Sequence, residues 1–243
     1  VSTDRFDAPA SGRFTLDGQP VEFHPGDSLL DAALRGGHYI PHLCADRDLT
    51  PHGSCRLCTV RINGRVGAAC TVKASDGLKV ESDTPDLNAQ RRTLLQMLFV
   101  EGNHFCPSCE RSGACQLQAT AYQMGMDNPH FEALSPSREV DATHPDVLLD
   151  HNRCILCERC ARASREVDGK NVFAMGLHGI RSVLLVNSPS GKLGDSALAV
   201  TDAAVAACPV GALLPKRQGF AVPIGQRRYD RAPIAEQLHE ETK

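Results

Sequence analysis

Eleven of the 243 residues are cysteine, and they fall into three groups. The first is Cys44, Cys55, Cys58 and Cys70. The second is Cys106, Cys109 and Cys115. The third is Cys154, Cys157 and Cys160, joined much later by Cys208. An odd total leaves one thiol over in any closed disulfide framework. The N-terminal stretch VSTDRFDAPASGRF lacks the apolar core of a secretion signal. No stretch approaches the ~18 apolar residues of a membrane span. The expectation is a cytoplasmic chain whose thiols stay reduced and bind metal or do redox chemistry. Aromatic residues make up only 5%, with no Trp. That is a thin core for this length and suits small, loop-rich domains held partly by something other than apolar burial. A net charge of -3 without a basic cluster speaks against nucleic acid.

Local patterns place the groups in an α+β framework. Residues 13–23 read as two short strands around Asp17-Gly18, a dipeptide that favours a tight turn. A helix follows in GDSLLDAALRGG, capped by Ser28 with Asp31 three residues on and stopped by Gly36-Gly37. Residues 58–64 and 77–82 suggest further strands. Residues 84–102 predict a helix, with Thr84 as cap, Pro85 at its first position and Leu87, Leu94, Leu95 and Leu98 facing a core. A shorter helix is expected over 114–125. Residues 127–150, with three prolines, read as a connector. Residues 182–186 suggest a strand, and a short helix precedes Cys208-Pro209. From Pro215 the chain turns polar and irregular, which suggests a tail lying on a partner or a disordered end.

The order single, C-x2-C pair, distant single in the first group is related to plant-type [2Fe–2S] spacing, although the first gap is longer. A four-cysteine zinc site is the alternative; such sites commonly use two C-x2-C pairs, and only one is present. Small Gly53 and Ser54 beside the pair let backbone N–H groups approach sulfur. The third group opens like the bacterial run C-x2-C-x2-C-x3-C-P, but Ser164 stands at the fourth position. In two-cluster ferredoxins that fourth cysteine serves the other cluster. Counting back from Cys208 by the same spacing gives Ala204, Thr201 and Leu198. The second run has therefore kept only the ligand that serves the first cluster. This predicts one [4Fe–4S] on Cys154, Cys157, Cys160 and Cys208. The middle group is one ligand short. His104, two residues before Cys106, is a candidate, since neutral imidazole binds iron. It could instead donate a hydrogen bond to sulfur, with solvent as fourth ligand.

Together, HGSCRLCTV, NHFCPSCERSGACQLQ, NRCILCERCARA and ACPVGAL resemble, over residues 12–215, the N-terminal region of the complex I large iron–sulfur subunit and its relatives. These include [FeFe] hydrogenases and NAD-dependent formate dehydrogenases. The middle motif usually reads H-x3-C there, but Gly102 occupies that position here. NHFCPSC and the GFAVPIGQRRYD tail are similar to the small diaphorase subunits of bidirectional NAD-reducing [NiFe] hydrogenases. The chain's end at Lys243, without the long domains of complex I or [FeFe] hydrogenase, points the same way.

The resemblance implies an N-terminal plant-type ferredoxin domain of β-grasp fold (1–83) and a one-histidine, three-cysteine segment (84–126). A one-cluster bacterial-ferredoxin-like domain (127–214) and a tail packed on a partner (215–243) would follow. It implies one [2Fe–2S] and two [4Fe–4S] clusters, with no catalytic site of the chain's own. Electrons would pass between a flavin- and NAD-binding diaphorase subunit and a [NiFe] hydrogenase small subunit, and through that to the large subunit. The chain shows no Gly-rich dinucleotide fingerprint after a strand and is not expected to bind NAD itself. A relay for formate dehydrogenase or a complex-I-type dehydrogenase is the alternative, and a zinc-bearing structural module a more distant one.

Overall fold

The computed structural model describes residues 11–134 and 137–238. The first ten residues of the stretch read for a secretion signal, Pro136 of the expected connector and the last five residues of the tail lie outside the described residues. The chain divides into two units. One holds the described residues up to 94 with 123–125 and 232–238; the other holds 95–122 and 126–231.

The first unit is built on a five-stranded sheet. Its strands are β1 (Gly12–Leu16), β2 (Gln19–Phe23), β3 (Thr59–Ile62), β4 (Arg65–Ala68) and β5 (Lys79–Glu81), in the order β2-β1-β5-β3-β4. β1 and β5 are parallel and the other pairs antiparallel. Asp17 and Gly18 both take positive φ, 51° and 82°, and close the expected two-residue turn. Helix α1 (Leu29–Arg35) starts in a capping box: the Asp31 N–H donates to the Ser28 hydroxyl, and the Ser28 N–H donates to the Asp31 carboxylate. Its apolar face meets alternate strand residues, so Phe14, Leu16, Val21, Leu29, Leu30 and Val60 form one core. Leu238, from near the end of the described chain, belongs to this core. β4 was not expected from the pattern. Asn63 and Gly64, at φ 47° and 82°, turn β3 straight back into it.

The helix α2 (Pro85–Glu101) gives its first turns to this unit and its last to the second. The second unit continues through all but the last residue of α3 (Gln116–Gln123), and through β6 (Val140–Asp141), β7 (Val147–Asp150), α4 (Arg159–Glu166), β8 (Phe173–Gly176), β9 (Val183–Val186), α5 (Ala203–Ala206), β10 (Leu213–Pro215) and α6 (Arg228–Arg231). β6 and β7 arise inside the expected connector. The buried His144 supports them: its Nδ1 accepts from the N–H groups of Asp146 and Val147, and its Nε2 lies 3.1 Å from the Leu198 carbonyl. Neither this ring nor the three-strand order β10-β7-β6 is readable as periodicity. β7 pairs antiparallel with β10. That pairing matters because Cys154 follows β7 by four residues and Cys208 precedes β10 by five. The Asp168 carboxylate, just past α4, accepts from the N–H groups of Ala203 and Ala204 and so holds α5 against the end of α4.

Candidate metal centres

In the first unit the four expected cysteines converge. Cys44, Cys58 and Cys70 are buried and Cys55 is half-buried. Sγ of Cys58 and Sγ of Cys70 lie 3.4 Å apart. The Cys44 N–H points at Cys55 Sγ (3.5 Å) and the Cys55 N–H at Cys44 Sγ (3.4 Å). Hydrogen bonding among these thiols pulls Cys44 down and pushes Cys70 up. Gly53 (φ 74°) and Arg56 (φ 59°) bend the loop around the sulfurs. A residue outside the motif fixes it. Arg91 of α2 is 2% exposed and donates to the carbonyls of Leu57 and Thr59, on either side of Cys58, and to Ser82. Burial pulls its pKa down, and its hydrogen bonds offset the cost of burying a cation. The signal in the sequence is a charge on an apolar stripe, four residues from both Leu87 and Leu95.

In the second unit, Cys106, Cys109, Cys115 and His104 line one small cavity with Phe99 and Arg153. A tight turn over Cys106–Ser108 starts the loop. Gly113, at φ 75°, donates its N–H to the Gln118 side chain just before Cys115 and α3. The His104 ring meets Phe99 edge-on, with centroids 5.5 Å apart. Its Nε2 is buried and has no hydrogen-bond partner among the described residues. Burial, helped by the nearby Arg153 charge, pushes its pKa down to about 4, so the ring is neutral at neutral pH. The missing side chain of Gly102 makes room for it. A Cβ there would stand 2.6 Å from His104 Nε2 and 2.9 Å from the Asn152 carbonyl. The imidazole of residue 104 thus fills the space that a side chain at 102 would need.

Cys154, Cys157, Cys160 and Cys208 line a second small cavity, walled by apolar Leu149, Leu184 and Val210. Burial pushes Cys154 up to about 11 and Cys157 up to about 12, and raises Cys160 as well. Such thiols deprotonate only when a metal centre balances their charge. Leu156 and Glu158 take left-handed φ, 52° and 60°, which is rare for residues with side chains. The backbone N–H groups of Leu156 and Arg159 hydrogen-bond to Cys154 and Cys157 and oppose the effect of burial. The sequence gives no sign of that strain.

Ser164 is 1% exposed, and its hydroxyl accepts from the Val172 N–H at 2.8 Å. It ties down the turn after α4. Ala204, where a second run would carry a cysteine, is fully buried. The tail touches the middle loop, where the Tyr229 N–H donates to the Gly113 carbonyl at 2.7 Å.

Comparisons with known proteins follow the same divisions. Residues 11–85 match the 2Fe-2S iron-sulfur cluster binding domain, 91–130 the NADH-ubiquinone oxidoreductase-G iron-sulfur binding region, and 147–214 the 4Fe-4S single cluster domain. The chain is 41% identical to the NAD-reducing hydrogenase HoxS subunit gamma of Cupriavidus necator, over 90% of this chain and 93% of that protein. It is 31% identical to the NADPH-Fe(3+) oxidoreductase subunit alpha of Geobacter sulfurreducens, over 83% of this chain but 24% of that protein. A chain in a crystal structure of NAD+-reducing [NiFe]-hydrogenase in the H2-reduced state superposes with a TM-score of 0.92. It is 53% identical, with 96% of this chain and 99% of that chain covered.

Proposed function

The chain belongs to the family of the gamma subunit of NAD-reducing hydrogenase, and from that premise we propose how its residues are divided among the metal centres. It is an iron–sulfur electron relay of an NAD-linked hydrogenase, with a 2Fe–2S domain and 4Fe–4S domains. In our reading the first unit is a β-grasp ferredoxin whose [2Fe–2S] is held by Cys44, Cys55, Cys58 and Cys70. One [4Fe–4S] is held by His104, Cys106, Cys109 and Cys115, and the other by Cys154, Cys157, Cys160 and Cys208. The observation that carries this division is Cys208, brought through the β7–β10 pairing into the same cavity as three cysteines far upstream. A single zinc draws four ligands to ~2–2.3 Å from one point. Four-cysteine zinc sites commonly use two C-x2-C pairs, and the first group has only one.

Bound clusters would supply one-electron transfer. The chain supplies thiolates, backbone amides aimed at sulfur, apolar walls that keep water from the third site, and a neutral imidazole at the middle one. We take its partners to be a flavin- and NAD-binding subunit and the small subunit of a [NiFe] hydrogenase, and its location to be the cytoplasm. No described helix is long and apolar enough to cross a membrane. We retain the functional division at 83, 126 and 214, which the three family matches support.

Anaerobic iron, sulfide and zinc analysis of the assembled complex, after subtracting the partners' metal, tests the assignment. About ten irons on this chain are expected. About six would remove one cube, and stoichiometric zinc would overturn the reading. Without a flavin subunit the chain should not reduce dyes with NADH.

A further inference from the structure

Arg153 occupies a place that the metal-ligand assignment does not use. Its peptide carries directly into Cys154, so its backbone belongs to the third site. Its guanidinium belongs to the middle one. Nη1 lies 3.7 Å from Cys109 Sγ, 2.6 Å from a Glu110 carboxylate oxygen and 3.5 Å from the Gly211 carbonyl. Nε pairs with Asp150 at 3.0 Å. Gly211 stands three residues after Cys208 and also presses on Cys109, since a Cβ there would sit 2.9 Å from the sulfur. Segments flanking Cys154 and Cys208 thus both meet Cys109. A second link runs through Gln116, beside Cys115. Its N–H donates to the Pro209 carbonyl and its side chain accepts from Arg159, next to Cys160.

We propose that Arg153 bridges the two four-iron sites and, by donating from the residue beside Cys154 to Cys109 Sγ, sets the reduction potential of the middle site. The inference rests on the ligand assignment above. Reduction adds negative charge that spreads onto the sulfurs, and a cationic N–H donor at sulfur stabilises that charge. Arg153 therefore makes the middle site easier to reduce. Asp150 and Glu110 limit the effect: each carboxylate draws the guanidinium toward itself and offsets part of its field. The two residues make opposite predictions. Removing the guanidinium lowers the potential, and neutralising Glu110 raises it. A clamp that only fastened loops together would give no such change of sign.

The test is a redox titration of the assembled complex followed by electron paramagnetic resonance, with iron counted in each variant. Arg153→Met should keep both centres and shift the middle one downward so that its reduced-to-oxidised ratio at a fixed potential falls about tenfold, ~59 mV for one electron. Arg153→Lys, which keeps charge but not the fork, should fall between Arg153→Met and the wild type. Glu110→Gln should shift the middle centre upward. The third centre should move less in all three. If Arg153→Met fails to assemble, Arg153→Lys and Glu110→Gln still decide the matter. Unshifted potentials in the variants that assemble, or shifts of equal sign for Arg153 and Glu110, overturn the proposal. Cys109→Ser separates this from the underlying assignment. Loss of one four-iron signal there with unmoved Arg153 variants rejects the bridge alone, and retention of every signal rejects the assignment.

Discussion

The middle and third sites lie in the same unit, line cavities of similar size and hold iron by our assignment, yet they are built in opposite ways. The third site gathers Cys154, Cys157, Cys160 and Cys208 across 55 residues of chain, closed by a β-ladder and walled by leucine and valine. Three of its thiols are buried. The middle site takes all its candidates from residues 104–115, a loop with no strand of its own. Only Cys115 among its thiols is buried, and Phe105, between His104 and Cys106, is 66% exposed. A site closed by tertiary structure resists local opening. A site on one loop depends on what packs against that loop, here Arg153, Gly211 and the Gly113–Tyr229 contact. The middle site is therefore the more adjustable of the two and the third the more fixed.

The sharpest way to break this contrast is Cys208→Ser. Removing the distant ligand should abolish the third centre, with a loss of about four irons per chain. Its electron paramagnetic resonance signal should vanish while the middle signal survives. Persistence of all three cluster signals would show that Cys208 does not belong with Cys154, Cys157 and Cys160.

His104→Ala ranks next. The middle centre should be lost or become labile, since three cysteines leave one iron open. His104→Cys should keep the cube at a lower potential, because thiolate adds the negative charge that imidazole lacks. A fully occupied, unshifted centre in His104→Ala would reduce the histidine to a neighbour.

Gly102→Ala sharpens the same point with a smaller change. Its methyl would stand where the His104 ring and the Asn152 carbonyl already are. Partial loss of the middle centre, judged by iron content, is the expected outcome. Combined with His104→Ala, it should add little, because the two substitutions act on one contact. Full additivity would mean that the glycine serves the backbone instead.

Ser164→Ala should have the smallest effect on the centres. Iron content and spectra should stay unchanged. Leaving the buried Val172 N–H without its acceptor should cost roughly 1–3 kcal/mol in denaturant unfolding. An altered third-centre spectrum would contradict the view that this position has left metal chemistry.

The strongest local signals were legible in the sequence. Ser28 with Asp31, Asp17-Gly18 and Pro85 announced their cap, turn and helix start, because each acts through backbone atoms a few residues away. The Asn63-Gly64 turn was equally local and equally present, but β4 behind it is short and carries Gly67, so no alternation marked it. β6 and β7 were illegible for another reason. They depend on His144 reaching Leu198 and on pairing with β10, contacts spanning more than fifty residues.

What the sequence determined by itself was chemistry and grouping: eleven thiols, one histidine two residues ahead of Cys106, and a missing fourth cysteine at Ser164. These follow from residue identity and short spacing, which no fold can alter. Tertiary structure alone decided which groups surround the sites. Arg91 reaches the loop of Cys58, Gly102 yields its space to His104, and Arg153 reaches from the third site to Cys109. In each case the distance that matters is a few ångströms through space. Only the packed fold sets such distances, because sequence separation does not measure them.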